Sequence, residues 1–199
     1  MIDEPARVKQ AQHGSDEAFT DLVEAYQTHV YNLCYRMLGD PASAEDAAQE
    51  TFLRAYQNLH RYDQSRPFPT WLLSIAAHYC IDRLRRRRFA VTSLDQEQDE
   101  GGVELTDLET PNPEAETLRR EQREQMQLAL DRLNSVDRAA VVLRYWHEYS
   151  EVEIAETLNL TVSAVKSRLH RARRDLADHW DSEGSRLRSE RRPHESPAV

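Results

Sequence analysis

The chain has 199 residues, enough for one large domain or two small ones, and its 39% hydrophobic content suffices for a buried core. No apolar run approaches the ~20 residues of a membrane span and the N-terminus has no signal-peptide pattern, so a cytoplasmic protein without membrane insertion is expected. The net charge of −9 argues against a nucleic-acid partner only until its distribution is read: residues 83–88, RLRRRR, hold five arginines, whereas residues 95–116 hold nine acidic residues and no basic one.

Taken in chain order, the sequence is helical throughout, with scarce glycine and no strand alternation. A first helix is expected from Asp16 to Leu38, with Phe19, Leu22, Val23, Tyr26, Val30, Leu33 and Met37 inward. Gly39-Asp40-Pro41 breaks it, and Asp40 caps the next helix with Pro41 in its first turn. That helix runs to about His60, with Ala48, Phe52, Ala55 and Leu59 inward. After the loop RYDQSRPFP a third helix spans Thr70 to Arg88, with Trp71, Leu72, Ile75, Ala76, Tyr79 and Leu84 mostly inward. Together these make an N-terminal helical domain over residues 16–91. Residues 92–113, acidic and containing Gly101, Gly102, Pro111 and Pro113, are expected to form a flexible linker that lets the two domains move independently. Helices resume at Glu114–Leu133, Ser135–Trp146, Ser150–Leu158 and Thr161–Trp180, giving a second domain over 114–180, and the polar tail 181–199 is expected to be disordered. The fold class is therefore all-α, with two small helical domains.

Ser150 to Arg174 read as a helix-turn-helix. Ser150 and Glu153 form a capping box, and Ile154, Ala155 and Leu158 give one apolar face. Asn159 tolerates the left-handed turn, Leu160 fills the corner and Thr161 caps the next helix. There Val165, Leu169, Ala172 and Leu176 form one buried stripe. The opposite face carries Lys166, Ser167, His170 and Arg171, with Arg168, Arg173 and Arg174 beside them. A buried stripe backed by a basic, hydrogen-bonding face suits a helix that enters the major groove; the plainer alternative is a solvated amphipathic helix.

Chemistry of other kinds finds no support. Cys34 and Cys80 lie far apart on apolar faces and read as buried free thiols. His78 and Asp82 are one turn apart, but two ligands make no metal site. No phosphate-binding glycine loop, HExxH or nucleophile elbow is present, so no enzyme, cofactor or metal is expected.

The helix at 41–60 also has a second face, Asp46, Gln49, Glu50 and Leu53 in register, which is either simply solvated or a docking surface for another protein. With that face the chain resembles a known family, the bacterial extracytoplasmic-function sigma factors. AEDAAQETFLRAY (44–56) is similar to their core-binding region 2.2, PFPTWLLSIAAHYCIDRLRRRR (67–88) to their −10 recognition regions 2.3 and 2.4, and residues 133–174 to region 4, which reads the −35 element. The resemblance covers about residues 16–180 in order.

The resemblance implies a sigma region 2 helical bundle and a region 4 helix-turn-helix in a sigma factor that binds core RNA polymerase and directs promoter-specific initiation. Asp46, Gln49, Glu50 and Leu53 would dock on the polymerase clamp coiled coil, and the flap is the other expected contact on core polymerase. The loop 62–69 and the start of the following helix would hold the single-stranded −10 element. Phe68, Trp71, His78, Arg83, Arg85 and Arg86 are the candidate −10 residues, with His78 where the family often has Asn. Lys166, Ser167, Arg168, His170, Arg171 and Arg173 are the candidate −35 residues. The arginine run would neutralise phosphates, while Tyr62, Phe68, Trp71 and Tyr79 either stack on bases or belong to the core. Promoter DNA and an anti-sigma factor are the other expected partners. The alternative is a helix-turn-helix regulator that binds an operator alone.

Overall fold

The computed structural model describes residues 3–93 and 113–190, and all of their regular structure is helical. Eight α-helices follow in order: α1 (Glu4–Gln12), α2 (Asp16–Leu38), α3 (Pro41–Asn58), α4 (Phe68–Ser93), α5 (Pro113–Asp131), α6 (Ser135–Trp146), α7 (Glu151–Leu158) and α8 (Val162–Glu190), with a short 3-10 turn at Leu59–Arg61.

Local chemistry sets the boundaries. Ser15 caps α2 through a bond accepted from the Ala18 amide. Gly39 ends that helix at φ 79°, a left-handed conformation that glycine adopts without strain. Asp40 then caps α3, accepting from the Ser43 amide at 2.7 Å, with Pro41 in the first turn. Of the α2 residues expected inward, Leu22, Val30, Leu33 and Met37 are buried and Phe19, Val23 and Tyr26 half-buried, with Cys34 buried beside them. Cys34 and Cys80 are both buried free thiols.

Helices α1–α4 form one unit and α5–α8 another. Helix α1, which the sequence reading omitted, buries Val8 and Ala11 against the first unit, and Arg7 pairs with Asp21 at 2.9 Å. The two units are in contact in this structure. Helices α6 and α7 pack on α2 and α4, and one buried apolar cluster runs through both. Arg138 of α6 donates from Nε to the Arg36 carbonyl of α2 at 2.8 Å and from Nη1 to Asp131 at 2.5 Å. The Arg36 guanidinium lies over the Trp146 ring, 5.0 Å from its centroid. His147 approaches His29 across the same seam, with ring centroids 6.5 Å apart.

Independent motion was expected from the acidic composition of residues 92–113, which says nothing of how the helices on either side pack on each other. The expected flexible linker lies largely outside the described residues. Disorder was expected from Asp181 onward, but α8 continues to Glu190; residues 191–199 lie outside the described range.

Candidate nucleic-acid interface

The helix-turn-helix is built from the features its sequence carries. Ser150 accepts from the Glu153 amide at 3.2 Å while Glu153 accepts from the Ser150 amide at 2.7 Å, a reciprocal cap. Its hydrogen bonds to Ser150 hold the Glu153 carboxyl below the usual range. Asn159 stands at φ 53°, ψ 50°, and the Leu160 amide closes the corner on the Ala155 carbonyl at 2.8 Å. Thr161 caps α8 by accepting from the Ala164 amide at 3.2 Å. Val165, Leu169 and Ala172 are buried, so Lys166, Ser167, His170, Arg171 and Arg173 face outward.

Two arginines of α8 converge on one carboxylate. Arg168 donates from Nη1 to Asp137 at 2.6 Å and Arg171 from Nε to its other oxygen at 3.1 Å. Asn134 donates to Asp137 as well, at 2.6 Å. Burial alone would raise the Asp137 pKa, but the bonds from Arg168 and Arg171 prevail and hold it below the carboxylate range. Only 28% of the Arg168 side chain is exposed, against 50% for Arg171. Arg168, expected beside the outward face, therefore also ties α8 to α6; sequence spacing cannot show that a buried acid on another helix draws it in.

Along α4 the expected residues divide. Phe68 is 2% exposed and packs against Tyr26, Tyr62 and Trp71, so of the two places open to it, bases or core, it takes the core. It opens the helix just after Pro67, where the loop turns inward. Trp71 is half-buried and lines a cleft of about 370 Å³ together with Arg54, Asn58, Arg61 and Ile75. Arg54, Asn58 and Arg61 were missed in the sequence because they come from α3 and the 3-10 turn, and no single periodicity groups them with Trp71. Arg54 also covers the Tyr79 ring at 4.8 Å. His78 is exposed, and its Nδ1 faces the Ser74 carbonyl at 2.7 Å. A nitrogen against a carbonyl carries the proton, so neutral His78 offers Nε2 outward as an acceptor.

Beyond it, Arg83 bonds Ser43 at 3.1 Å and lies 3.9 Å from Asp46, leaning on α3. Arg85 lies 3.9 Å from Asp82, and Arg86 is exposed.

On α3 the core takes Ala44, Ala47, Thr51 and Ala55, leaving Asp46, Gln49, Glu50 and Leu53 together on the other side. Leu53 is 51% exposed, a large apolar side chain in the midst of a polar face. Glu50 is tied to Arg54 at 2.7 Å. No cluster able to hold a metal ion occurs among the described residues, and none of their helices is long and apolar enough to cross a membrane.

Residues 22–90 match the family model for sigma-70 region 2, and residues 123–176 that for sigma-70 region 4. The ECF RNA polymerase sigma factor SigW of Bacillus subtilis (strain 168) is 40% identical over 174 residues, covering 85% of this chain and 92% of its own length. The chain belongs to the extracytoplasmic-function sigma factors of the sigma-70 family. Among solved structures it is similar to CnrH in complex with the cytosolic domain of CnrY, at TM-score 0.66 and 26% identity, covering 91% of this chain and 99% of that one. The sigma factor RpoE from Bartonella quintana, solved with the anti-sigma factor NepR, shares the fold at TM-score 0.63 and 18% identity, over 80% of this chain and 94% of that one.

As a sigma factor the protein binds core RNA polymerase and directs promoter-specific initiation, and it is not an enzyme. Region 2 comprises α2–α4, and region 4 contains the helix-turn-helix of α7 and α8. The family membership disfavours the stand-alone regulator.

Proposed function

We propose that three surfaces divide the work of this sigma factor. The α3 face of Asp46, Gln49, Glu50 and Leu53 docks on the polymerase clamp coiled coil, and region 4 meets the flap. The α4 surface, with Trp71, His78, Arg85 and Arg86, takes the unpaired −10 strand, and the cleft lined by Arg54, Asn58 and Arg61 receives one of its nucleotides. Trp71 supplies a stacking face, the arginines neutralise phosphate and His78 accepts a hydrogen bond from a base. The outward face of α8, with Lys166, Ser167, His170 and Arg171, reads the −35 element in the major groove. The work is done in the cytoplasm, where polymerase and promoter DNA are found.

The observation that carries this reading is the α3 face. Its half-exposed leucine among polar residues serves no part of the chain's own core, and a regulator acting alone has no need of it. A protein inhibitor of the anti-sigma kind is the further partner, since the similar CnrH and RpoE structures hold a bound protein. Reconstitution with core polymerase tests the whole: promoter-specific transcripts, together with permanganate-reactive thymines at the −10 element, are expected only when both components are present.

A further inference from the structure

The 3-10 turn and the loop after it are held from below by a residue far away in sequence. Gln12, the last residue of α1, donates from Nε2 to the Leu59 carbonyl at 2.9 Å and to the Tyr62 carbonyl at 2.8 Å. Its Oε1 accepts from Gln64 at 2.6 Å. One amide thus satisfies two backbone acceptors and one side-chain donor on a segment some fifty residues on.

The two carbonyls flank His60 and Arg61, and Arg61 lines the same cleft as Trp71. The rest of the segment braces itself locally. The Ser65 amide and hydroxyl donate to Asp63, and the Tyr62 hydroxyl donates to the Arg66 carbonyl. Tyr62 in turn packs on Trp71, with ring centroids 4.8 Å apart. Outside these bonds, Arg61 and Gln64 are exposed and have no apolar anchor of their own. Helix α1 is well placed to act as the fixed end. Val8 and Ala11 are buried, Arg7 pairs with Asp21, and the Tyr26 hydroxyl donates to Glu4.

We propose that Gln12 is a positioning residue for capture of the unpaired −10 nucleotide: it fixes the backbone on either side of Arg61, and so the width and charge of the cleft that Trp71 closes. The inference rests on the assignment of that cleft to the −10 strand. The binding site must meet a nucleotide already splayed from its stack, so a preset wall spares the cost of ordering the segment on contact. Gln12 itself touches no DNA; its effect passes through the Leu59 and Tyr62 carbonyls.

The test uses the full chain reconstituted with core polymerase. Gln12→Glu keeps length and shape but removes both donated bonds; Gln12→Ala removes all three. The probes are single-stranded −10 oligonucleotides with each of the four bases at the captured position, and a duplex upstream fragment as control. Both variants are expected to bind the preferred oligonucleotide about tenfold more weakly and to discriminate less among the four bases. Helicity, core-polymerase affinity and duplex binding should stay unchanged.

Arg61→Ala serves as the reference. If it weakens oligonucleotide binding while the Gln12 variants retain both affinity and base preference, the positioning role is wrong. If Arg61→Ala and Trp71→Ala also bind normally, the cleft does not take the strand, and the role falls with it. A parallel loss of core affinity and of duplex binding would assign Gln12 to general stability and equally overturn the proposal.

Discussion

Arg171 reaches Asp137 through Nε at 3.1 Å, and that single bond leaves the outer edge of its guanidinium free of the carboxylate. Asp137 has 1% of its side chain exposed, whereas half of Arg171 is exposed, so a buried acid steers an outward arginine. Arg168 fills the other carboxylate oxygen and keeps Asp137 ionised. Replacing Asp137 by Ala leaves two cations facing a cavity and removes the tie between α6 and α8. The expected cost is about 1–3 kcal/mol of stability, below that of a fully buried pair because both arginines reach solvent. Thermal unfolding of the variant beside Asp137→Asn measures it; equal midpoints for both variants and the parent protein would contradict the tie.

Charge reversal on α3 should separate docking from folding. Asp46→Arg with Glu50→Arg is expected to abolish core-polymerase binding while helicity is retained, because exposed charges contribute little to stability. Affinity for core polymerase and circular dichroism are measured on the same preparation. Unchanged affinity, or collapse of the helical signal, would count against a docking face.

Promoter contacts should fail in two different ways. Arg171→Ala is expected to weaken use of the upstream element by ~1–3 kcal/mol, leaving strand opening intact once the complex has formed. His78→Ala should instead impair opening, since capture of an unpaired base offsets the cost of unstacking it. Permanganate footprinting and duplex binding with reconstituted polymerase distinguish them, and the same defect in both variants would sink the division of labour.

Acid should loosen the seam between the units before it reaches the carboxylates. Burial, reinforced by the nearby His29, pushes the His147 pKa down from 6.5 to about 4. An unfolded chain therefore takes up this proton near pH 6.5, while the folded one resists it until about pH 4. The stability from neutral His147 is complete above pH 6.5 and declines as pH falls from there toward 4. Asp137, lowered in pKa, contributes fully above the ordinary carboxylate range and loses its contribution only below it. The melting midpoint is expected to fall between pH 7 and 4.5, and to fall less steeply in His147→Gln. Parallel slopes would falsify the assignment to His147.

What the sequence made legible was local. The Ser150–Glu153 cap, the left-handed Asn159, the Asp40-Pro41 start and the buried stripe of α8 each depend on residues within a turn or two of one another. The grouping of Asp46, Gln49, Glu50 and Leu53 was equally visible, since one helix carries all four. What escaped depends on contacts across the chain. Arg168 turns inward because Asp137 is there, and Phe68 goes into the core because Tyr26 and Tyr62 surround it. Helix α1 has only nine residues and a weak apolar stripe, so its role as a support is apparent only once Gln12 is seen to reach Leu59. The packing of region 4 on region 2 likewise has no periodic signature.

The bond from Arg138 to the carbonyl of Arg36 bears on how this seam can diverge among related chains. A carbonyl belongs to the backbone, so that half of the contact survives any substitution at position 36 that preserves the helix. Substitution at 138, by contrast, removes the donor to both Arg36 and Asp131 at once. The side chain at 36 is held to its identity by ring faces alone, that of Trp146 at 5.0 Å and, more distantly, that of Tyr35 at 6.0 Å. Drift should therefore be tolerated at 36 together with 146, as a pair, while 138 stays arginine wherever the two units rest on each other in this way.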